Sequence, residues 1–491
     1  MRTLDSQQRF TISKVIELLT QSKVDTYLVG GYVRDNLMGR LTADIDFAVS
    51  PDAPEIARNI ADAIGGSYVL LNQENGIARV VVSQGDDLTN QWHLDFSSLR
   101  STIEADLGRR DFTIDAMAIR LPQKPDGAFP FCISASEIID PFGGQNDLKT
   151  KCVKAVSTDV FRNDPVRLLR AVRLAHEYDF SIDGETESLI KRDSYLLDRA
   201  PGERVRDELC HILTLTSSAS SLCYLDQLGL LDVVFPELAV SKGVEQPKEH
   251  FWDVFDHSVE TVRAEERLLA NDVGIVACVP WIEDIGCLLD ISIGLVRRDV
   301  LLKLAALLHD VAKPKTKNLE SDGRVHFFGH ASEGAMMAGD IMERLRFSNQ
   351  QTKMVQLMIE HHMRVWQMSN EGMPTRRAVY RYFKDTADVW VETLILSLAD
   401  FMAKEGPRLN NRELVGHAEL MHYIICEHER DVTLTRPPKL ISGHDLIAVL
   451  GMEPGPQVGI LLESVREAQS AGQITTREEA LAFVKNEHNC R

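Results

Sequence analysis

The 491-residue sequence predicts an α+β protein in which a small mixed-sheet head is followed by a long helical region. In the first 150 residues, short strand-like runs such as TYLVGG and ADIDFAV alternate with helical stretches, which is typical of a small α/β head. From about residue 158 onward, apolar residues recur at helical spacing and no further strand is expected. Charged residues at 26% and apolar residues at 44% are ordinary for a soluble globular protein.

A chain of this length exceeds one hydrophobic core, so several domains are expected. The helical pattern is interrupted near Pro236–Pro247 and again near Gly406–Leu414. The predicted division is a head over residues 1–150, a helical neck over 151–240, a helical body over 248–405 and a helical tail over 406–491.

Composition restricts the classes of function. No run of 18 apolar residues and no apolar leader occur, so neither a membrane span nor a signal peptide is predicted. Eight cysteines without a C-x-x-C pair favour reduced thiols, and a cytoplasmic location is expected. The net charge of −19 argues against broad nucleic-acid binding, but Lys149–Arg173 holds seven Lys/Arg against two Asp. A local nucleic-acid contact is therefore predicted there.

A glycine turn between two predicted strands is the most informative motif. Gly30 and Gly31 would let backbone N–H groups approach a triphosphate, and Arg34 could bind phosphate oxygens bidentately. Asp44 and Asp46 are two residues apart on the second predicted strand, and side chains alternate between the faces of a strand, so both carboxylates point to the same face. Adjacent carboxylates need a cation, and Mg²⁺ prefers oxygen ligands together with substrate phosphates. The alternative is a surface hairpin with two solvated acids.

Three further motifs follow this turn in order along the chain. They are ADLGRRDFTIDAMAI (Ala105–Ile119), IIDPFGGQNDL (Ile138–Leu148) and FRNDPVRLLRAVRLA (Phe161–Ala175). With G-G-x-x-R-D and D-x-D, they resemble the catalytic head of class II tRNA nucleotidyltransferases, a family that includes bacterial poly(A) polymerases. The resemblance implies a nucleotidyltransferase that acts on the tRNA 3′ end, and the final segment is similar to the family's tail.

The resemblance implies roles for the acidic residues of the head. Asp44 and Asp46 would hold Mg²⁺ for nucleotidyl transfer. Asp95 lies on a later predicted strand, and is either a third carboxylate near the primer 3′-hydroxyl or a solvated acid at the strand end.

The motif GRRDFTIDAMA implies further contacts with the nucleotide. The resemblance places Arg110 and Asp111 near the ribose and triphosphate. Asp115 stands where the family usually has asparagine. An ionised carboxylate can only accept hydrogen bonds, so Asp115 must accept them or find a cation.

The motif RNDPVRLLR gives candidates for recognition of the base. One reading of Asp164 is a helix N-cap with Pro165 at the first helical position. The other is that Asp164 and Arg167 act as a protein template for the incoming base, with Arg170 and Arg173 on the same third of the helix. A carboxylate accepts from the amine of cytosine or adenine and repels the O4 of uracil, so CTP is predicted, with ATP as a second candidate.

A second chemistry is indicated in the helical body. His309-Asp310 ends an apolar helix, and the wider pattern resembles HD-type metal-dependent phosphohydrolases acting on RNA ends. The predicted ligands are His257, His309, Asp310 and Asp400, with His330 and the pair His361-His362 as further candidates. Such a mixture of ligands can hold Mn, Ni, Fe or Mg. The alternative is that these histidines are ordinary core residues.

The length of one connection favours CC addition. Full CCA-adding members of the family carry a long flexible loop between the strand of the third carboxylate and the R-R-D motif, and only 13 residues separate Asp95 from Arg109. The sequence therefore predicts addition of two cytidines to tRNA. Full CCA addition, poly(A) polymerase activity and a primary role as an HD phosphohydrolase remain alternatives, and no oligomeric state is predicted.

Overall fold

A computed structural model describes residues 6–22, 24–40, 42, 44–83, 91–121, 137–248, 250–270, 272–321, 324–369, 372–430 and 438–489. The chain forms two compact units, residues 1–200 with 228–230 and residues 201–227 with 231–491. A mixed sheet in the first unit and mainly helices in the second confirm the predicted α+β class. The units divide inside the predicted neck, and the four-domain division remains a prediction.

One mixed sheet organises the first unit. Its strands are β1 (Thr26–Val29), β2 (Ile45–Val49), β3 (Ser67–Asn72), β4 (Ile77–Ser83), β5 (Gln91–Ser98), β6 (Ala118–Arg120) and β7 (Ile138–Ile139). Their spatial order is β3-β4-β5-β2-β1-β6-β7. Strand β2 runs parallel to β5, and each of the other neighbouring pairs is antiparallel.

The two faces of this sheet are buried differently. Phe47 and Phe96 stack at 5.0 Å on the face that builds the larger core. On the other face, Ala48 packs with Ile103 and Leu107 in a smaller apolar cluster. Because side chains alternate along β2, Asp46 shares its face with Ala48. A polar site can therefore lie beside the smaller cluster.

Helices cover the sheet and continue beyond it. The helices of the first unit are Ser6–Gln21, Gly31–Leu37, Ala53–Ile64, Ile103–Leu107, Gly144–Lys149, Val160–Asn163, Arg167–Tyr178 and Gly184–Asp193, with 3₁₀ helices at Thr113–Asp115 and Ser194–Arg199. Short strands at Cys152–Val153 and Ser181–Ile182 pair in parallel. The expectation of no strands beyond residue 158 is therefore wrong in detail, because two-residue strands are too short to produce a periodic pattern.

The second unit is a set of packed helices with two small hairpins. The helices are Gly202–Thr214, Ser218–Gln227, Leu231–Val234, Pro236–Ala239, Val254–Leu269, Val273–Val276, Ile282–Gly286, Arg298–Leu308, Lys313–Thr316, His330–Arg344, Asn349–His361, Arg364–Ser369, Arg376–Thr386, Trp390–Glu405, Asn411–Arg430, Gly443–Leu450, Pro456–Ser470 and Arg477–Asn489. The 3₁₀ helices are Cys287–Asp290, Ala387–Val389 and Gly406–Arg408, and the hairpins pair Ser292–Ile293 with Val296–Arg297 and Asn318–Leu319 with Val325–His326.

The helix Arg298–Leu308 is the centre of this unit. Its residues from Val300 to Leu308 are all buried, because four helices pack around it: Gly202–Thr214, Val254–Leu269, Asn349–His361 and Trp390–Glu405. A helix that is apolar on every side belongs in a core. The polar pair that follows its last turn therefore enters the interior of the bundle. No helix among the described residues is long and apolar enough to cross a membrane.

Candidate active site and metal centre

The glycine turn lies at the end of β1, where space is scarce. Gly30 has a φ of +71°, and a Cβ there would lie 2.5 Å from Nη1 of Arg110 and 3.1 Å from Oδ2 of Asp46. Glycine is therefore needed both for the backbone conformation and for the close approach of these side chains. Gly31 begins the helix Gly31–Leu37. The turn thus places backbone N–H groups, a guanidinium group and a carboxylate together.

Three carboxylates meet at the central strands. Asp44 immediately precedes β2, and the parallel register pairs Asp46 with Asp95. Burial, followed by the charge of Asp44, raises the pKa of Asp46 to about 7. Burial, followed by the charge of Asp95, also raises the pKa of Asp44. This mutual repulsion is what a bound cation would relieve, so the donor set fits Mg²⁺.

Asp95 has a partner that the sequence did not reveal. Arg79 donates two hydrogen bonds to its carboxylate, each 2.7 Å long. The antiparallel register of β4 and β5 places Arg79 directly opposite Asp95. In this structure Asp95 is therefore a charge-paired acid rather than a freely solvated one. Only the strand pairing makes this partner visible.

Arg110 lies close to the carboxylate of Asp46 across the glycine turn. Its positive charge opposes the rise in the pKa of Asp46. Its Nε is buried and has no hydrogen-bond partner among the described residues. A buried guanidinium nitrogen without an acceptor is suited to an anion such as a phosphate group.

The guanidinium of Arg34 lies beside Gly31 of the turn, but protein acceptors hold it. Its Nε donates to Asp35 (2.9 Å), its Nη1 to Asp115 (2.5 Å) and its Nη2 to the hydroxyl of Tyr178 (2.6 Å). The side chain is buried. This geometry does not favour the expected bidentate contact between Arg34 and a phosphate group, because three protein acceptors already bind the guanidinium. Asp115, which as a carboxylate must accept hydrogen bonds or pair with a cation, does both with the Arg34 guanidinium.

Arg170 and Asp111 form a neighbouring ion pair. Nε of Arg170 lies 2.8 Å from Oδ2 of Asp111, and Nη2 of Arg170 lies 3.6 Å from Oδ2 of Asp115. Burial alone would raise the pKa of Asp111, but Arg170 and Arg167 hold it below its usual value. Asp111 therefore serves as a buried acceptor for the helix Arg167–Tyr178. This ion pair with Arg170 does not favour the expected direct contact between Asp111 and the nucleotide.

Asp164 and Arg167 lie next to each other at the start of that helix. The helix begins at Arg167, so Asp164 is not its N-cap, although its carboxylate accepts from the Val166 N–H at 3.3 Å. Nη2 of Arg167 donates to the Arg109 carbonyl at 2.9 Å. Both template candidates are half-buried, with part of each side chain accessible. Arg173, further along, pairs with Glu177 at 2.7 Å.

The second unit gathers the predicted histidines. His309, His330 and His362 each place Nδ1 against the carbonyl oxygen three residues earlier, at 2.8, 2.7 and 2.6 Å. A carbonyl only accepts, so Nδ1 carries the proton and the lone pair is on Nε2. A hydrogen bond from the ring nitrogen that does not bind the metal, here Nδ1, usually orients metal-binding histidines.

The ligand atoms converge. Nε2 of His257 lies 3.0 Å from Asp400 and 3.2 Å from Nε2 of His309, which lies 3.1 Å from Asp310. The groups whose ligand atoms lie within 4.8 Å of one another are His257–His309–Asp310, His309–His362–Asp400 and Asp310–His330–His362. Six of the seven candidate positions are thus brought together, whereas the seventh, His361, belongs to none of these groups.

The charges in this cluster suit a divalent metal. Burial, followed by the charge of His309, lowers the pKa of His362 to about 4, and burial also lowers the pKa of His257. Burial would raise the pKa of Asp400, but the adjacent histidines hold it far below its usual value.

Among the described residues, Oδ1 of Asp310 is buried without a hydrogen-bond partner, whereas its Oδ2 lies 2.6 Å from Nζ of Lys313. Burial would lower the pKa of His309, but the charge and hydrogen bonding of the adjacent carboxylates, Asp310 above all, outweigh burial and raise it. Neutral imidazoles and ionised carboxylates are the forms that bind metals, so His257, His362 and the two carboxylates fit one. A metal would take the place of the proton that Asp310 favours on His309.

A cavity of about 700 Å³ opens beside this cluster. Its lining includes Asp310, His330, His362 and Asp400, and the cations Lys313, Arg364 and Lys404. These cations were not predicted from the sequence. Lys313 alone could have been expected, because it follows Asp310 by three residues. Metal ligands and cations around one cavity suit a phosphate-bearing ligand.

Family models match the parts of the chain that hold these two sites. Residues 26–154 match the Poly A polymerase head domain, 179–241 the probable RNA and SrmB-binding site of polymerase A, and 254–405 the HD domain. Over 464 residues, the chain is 34% identical to the A-adding tRNA nucleotidyltransferase of Deinococcus radiodurans, covering 93% of this chain and 94% of that relative. The chain belongs to the tRNA nucleotidyltransferase family.

Other relatives of this tRNA nucleotidyltransferase agree. The CC-adding tRNA nucleotidyltransferase of Thermus thermophilus is 31% identical over 467 residues, covering 94% of this chain and 93% of the relative. The fold resembles that of the Thermotoga maritima CCA-adding enzyme complexed with tRNA, with a TM-score of 0.57 and 22% identity over 99% of this chain and 97% of that one. The resemblance inferred from the motifs is thereby confirmed, as is nucleotidyltransferase as the class of enzyme.

The raised pKa of Asp46 predicts that burying its carboxylate lowers the free energy of unfolding at neutral and alkaline pH. Its folded pKa of about 7 lies above its ordinary value of 3.8, so stability falls as the pH rises between these values. Asp46→Asn removes this penalty. We expect its melting temperature in metal-free buffer at pH 8 to exceed that of the wild type by about 3 °C or more, while nucleotide addition is lost. Equal melting at pH 8 would contradict this electrostatic account.

The metal centre predicts a second result. His309→Ala should lower the affinity for divalent transition metals by at least about 100-fold, because a ligand shared by two of the groups is removed. His361→Ala is the matched control, since this histidine is in none of them. Metal content is measured by mass spectrometry after dialysis. If the His309 variant retains as much metal as the control, the histidines are core residues.

Proposed function

We propose that this tRNA nucleotidyltransferase adds two cytidines to the tRNA 3′ end from CTP. The observation that carries the proposal is the short connection between β5 and the helix Ile103–Leu107, which spans only residues 99–102. The Leu99 N–H donates to the Val49 carbonyl at 2.8 Å, so even this connection is tied to the sheet. Full CCA-adding members of the family use a long loop here to help the template move from cytosine to adenine. This connection is too short to act as such a lever.

Asp164 and Arg167 supply the recognition of cytosine in this proposal. The carboxylate accepts from the exocyclic amine, and the guanidinium donates to the ring acceptors. The O4 of uracil would meet the carboxylate of Asp164 and be repelled. The hydrogen bond from Arg167 to the Arg109 carbonyl limits the motion of the guanidinium, which favours one size of base.

The remaining head residues divide into binding and supporting groups. Asp44 and Asp46 would hold Mg²⁺, which when bound neutralises phosphate charge and activates the 3′-hydroxyl. The turn at Gly30 offers backbone N–H groups to the triphosphate, and Arg110 adds a positive charge beside them. Asp95 completes the acidic cluster, and Arg79 fixes its orientation.

A-addition is a second candidate, because the Deinococcus radiodurans relative at 34% identity is named as A-adding. The same template chemistry supports it, since the amine of adenine also donates to a carboxylate. The two candidates differ in the tRNA end that each extends. An A-adding enzyme acts on tRNA that already ends in CC.

The product pattern tests the main proposal. Transcripts that end at the discriminator base, in C or in CC are incubated with CTP or ATP, and products are resolved at single-nucleotide resolution. We expect two cytidines on the first transcript and no adenosine on the CC-ending one. Adenosine on the CC-ending transcript would falsify the CC-only assignment: without cytidine addition it indicates an A-adding enzyme, and with it a full CCA-adding enzyme.

A further candidate activity, phosphohydrolysis at RNA ends, is supported by the metal-ligand cluster in the second unit. The cavity beside it is lined by three cations, which would bind the phosphate group of a substrate. His257, His309, Asp310 and Asp400 would hold the metal, with His330 and His362 completing the ligand set. A metal bound there would polarise the phosphate and supply a nucleophilic hydroxide.

The two proposed activities use residues of separate units, which predicts that they can be separated. Asp44→Ala should reduce nucleotide addition by at least about 100-fold, because a Mg²⁺ ligand is lost, and should leave the transition-metal content of the second unit and any phosphohydrolase rate unchanged. His309→Ala should give the reverse pattern. The control is Asp62→Ala, which removes an exposed acid from the helix Ala53–Ile64. Loss of both activities in either variant would argue against two independent sites.

A further inference from the structure

A buried ionic cluster joins the glycine-turn helix to the helix that carries the template residues. Arg34 lies on the helix Gly31–Leu37, Asp115 lies in the 3₁₀ helix Thr113–Asp115, and Tyr178 ends the helix Arg167–Tyr178. The three residues are 6%, 2% and 5% exposed. The cluster contains Asp115, the position at which the motif GRRDFTIDAMA departs from the asparagine usual in the family.

The contacts of the cluster fix the C-terminal end of the template helix. Arg34 donates to Asp115 at 2.5 Å and to the Tyr178 hydroxyl at 2.6 Å, and its guanidinium carbon lies 4.5 Å from the centre of the tyrosine ring. The same hydroxyl donates to Asp35 at 3.2 Å. Because the hydroxyl both accepts and donates, the ring is held in position as well as in orientation.

The same carboxylate also forms an ion pair with the first turn of the template helix, although its Oδ2 accepts no hydrogen bond among the described residues. Oδ1 of Asp115 contacts Arg34, while Oδ2 lies 3.6 Å from Nη2 of Arg170, whose Nε pairs with Asp111 at 2.8 Å. An asparagine has only one acceptor oxygen, and its NH₂ group would face a guanidinium. Only a carboxylate can serve two arginines from two sides.

We propose that Asp115 is a positioning residue that locks the template helix to the head and so restricts the site to one size of base. The proposal rests on the proposed addition of a single kind of nucleotide. A shift of the helix would separate buried charge pairs from their partners, and such groups are costly to leave unpaired. Asp164 and Arg167, at the start of this helix, therefore stay at the distance from the metal-binding carboxylates that suits cytosine.

The test compares discrimination between bases in Asp115→Asn and Tyr178→Phe. kcat/KM is measured with CTP on tRNA ending at the discriminator base and with ATP on tRNA ending in CC. The ratio of the two should fall about tenfold in Asp115→Asn, because a charge-assisted contact is lost, and less in Tyr178→Phe, which keeps the ring. A merely structural role would lower both rates by the same factor and leave the ratio unchanged.

The matched control is Asp193→Asn. Asp193 is also a buried acid paired with arginines, Arg192 and Arg162, but it contacts neither the head sheet nor the template helix in any ion pair or hydrogen bond described here. Its ratio should equal that of the wild type. If Asp115→Asn fails to fold, Tyr178→Phe decides. An unchanged ratio in folded variants overturns the lock.

Failure of the lock and failure of the proposed function can be told apart. The products of the wild type decide which nucleotide is added, whereas the change of the ratio in the variants decides the lock. If the wild type adds only adenosine, CC addition is wrong, and the lock then predicts that discrimination against CTP relaxes. If the wild type adds both nucleotides efficiently, the lock is overturned, because one fixed helix would have to serve two sizes of base.

Discussion

The parallel pairing of β2 with β5 is the constraint on which the head depends. Its register brings Asp46 beside Asp95, and the chain entering β2 adds Asp44. These carboxylates repel one another and are partly removed from water, so the surrounding structure supplies positive charge: Arg79 holds Asp95, and Arg110 faces Asp46 across the glycine turn. The remaining repulsion leaves a place for a divalent cation.

In the second unit, a buried helix rather than a pair of strands brings the charged residues together. Its central helix is buried on every side, so the His309-Asp310 pair that follows must enter the interior. Backbone carbonyls then orient the imidazoles, which directs Nε2 of each histidine toward the carboxylates. Lys313 lies 2.6 Å from Asp310 and compensates part of its charge. In both units, a cation from the protein stabilises an acid beside a cluster that fits a metal.

The arginines show why charge in a motif does not by itself reveal its use. Arg34 and Arg110 both belong to motifs associated with phosphate binding, yet they do different work. Arg110 retains a buried nitrogen without a partner, which suits an anion. Arg34 is bound to Asp115 and Tyr178 and supports the template helix instead. Asp115 gives Arg34 a charged, buried partner inside the protein.

The sequence by itself determined the family and the α+β class, and it indicated the acidic residues and the histidines that lie together in the two units, because short motifs with unusual side chains, such as G-G-x-x-R-D and H-D, are local patterns. The tertiary structure alone decided which partners these residues have. Arg79 is recognisable only once β4 is aligned with β5, and Tyr178 only once its helix packs against the turn, 144 residues from Arg34. Hydrogen bonds and ion pairs between segments so distant in the chain depend on packing and register, which leave no periodic trace in the sequence.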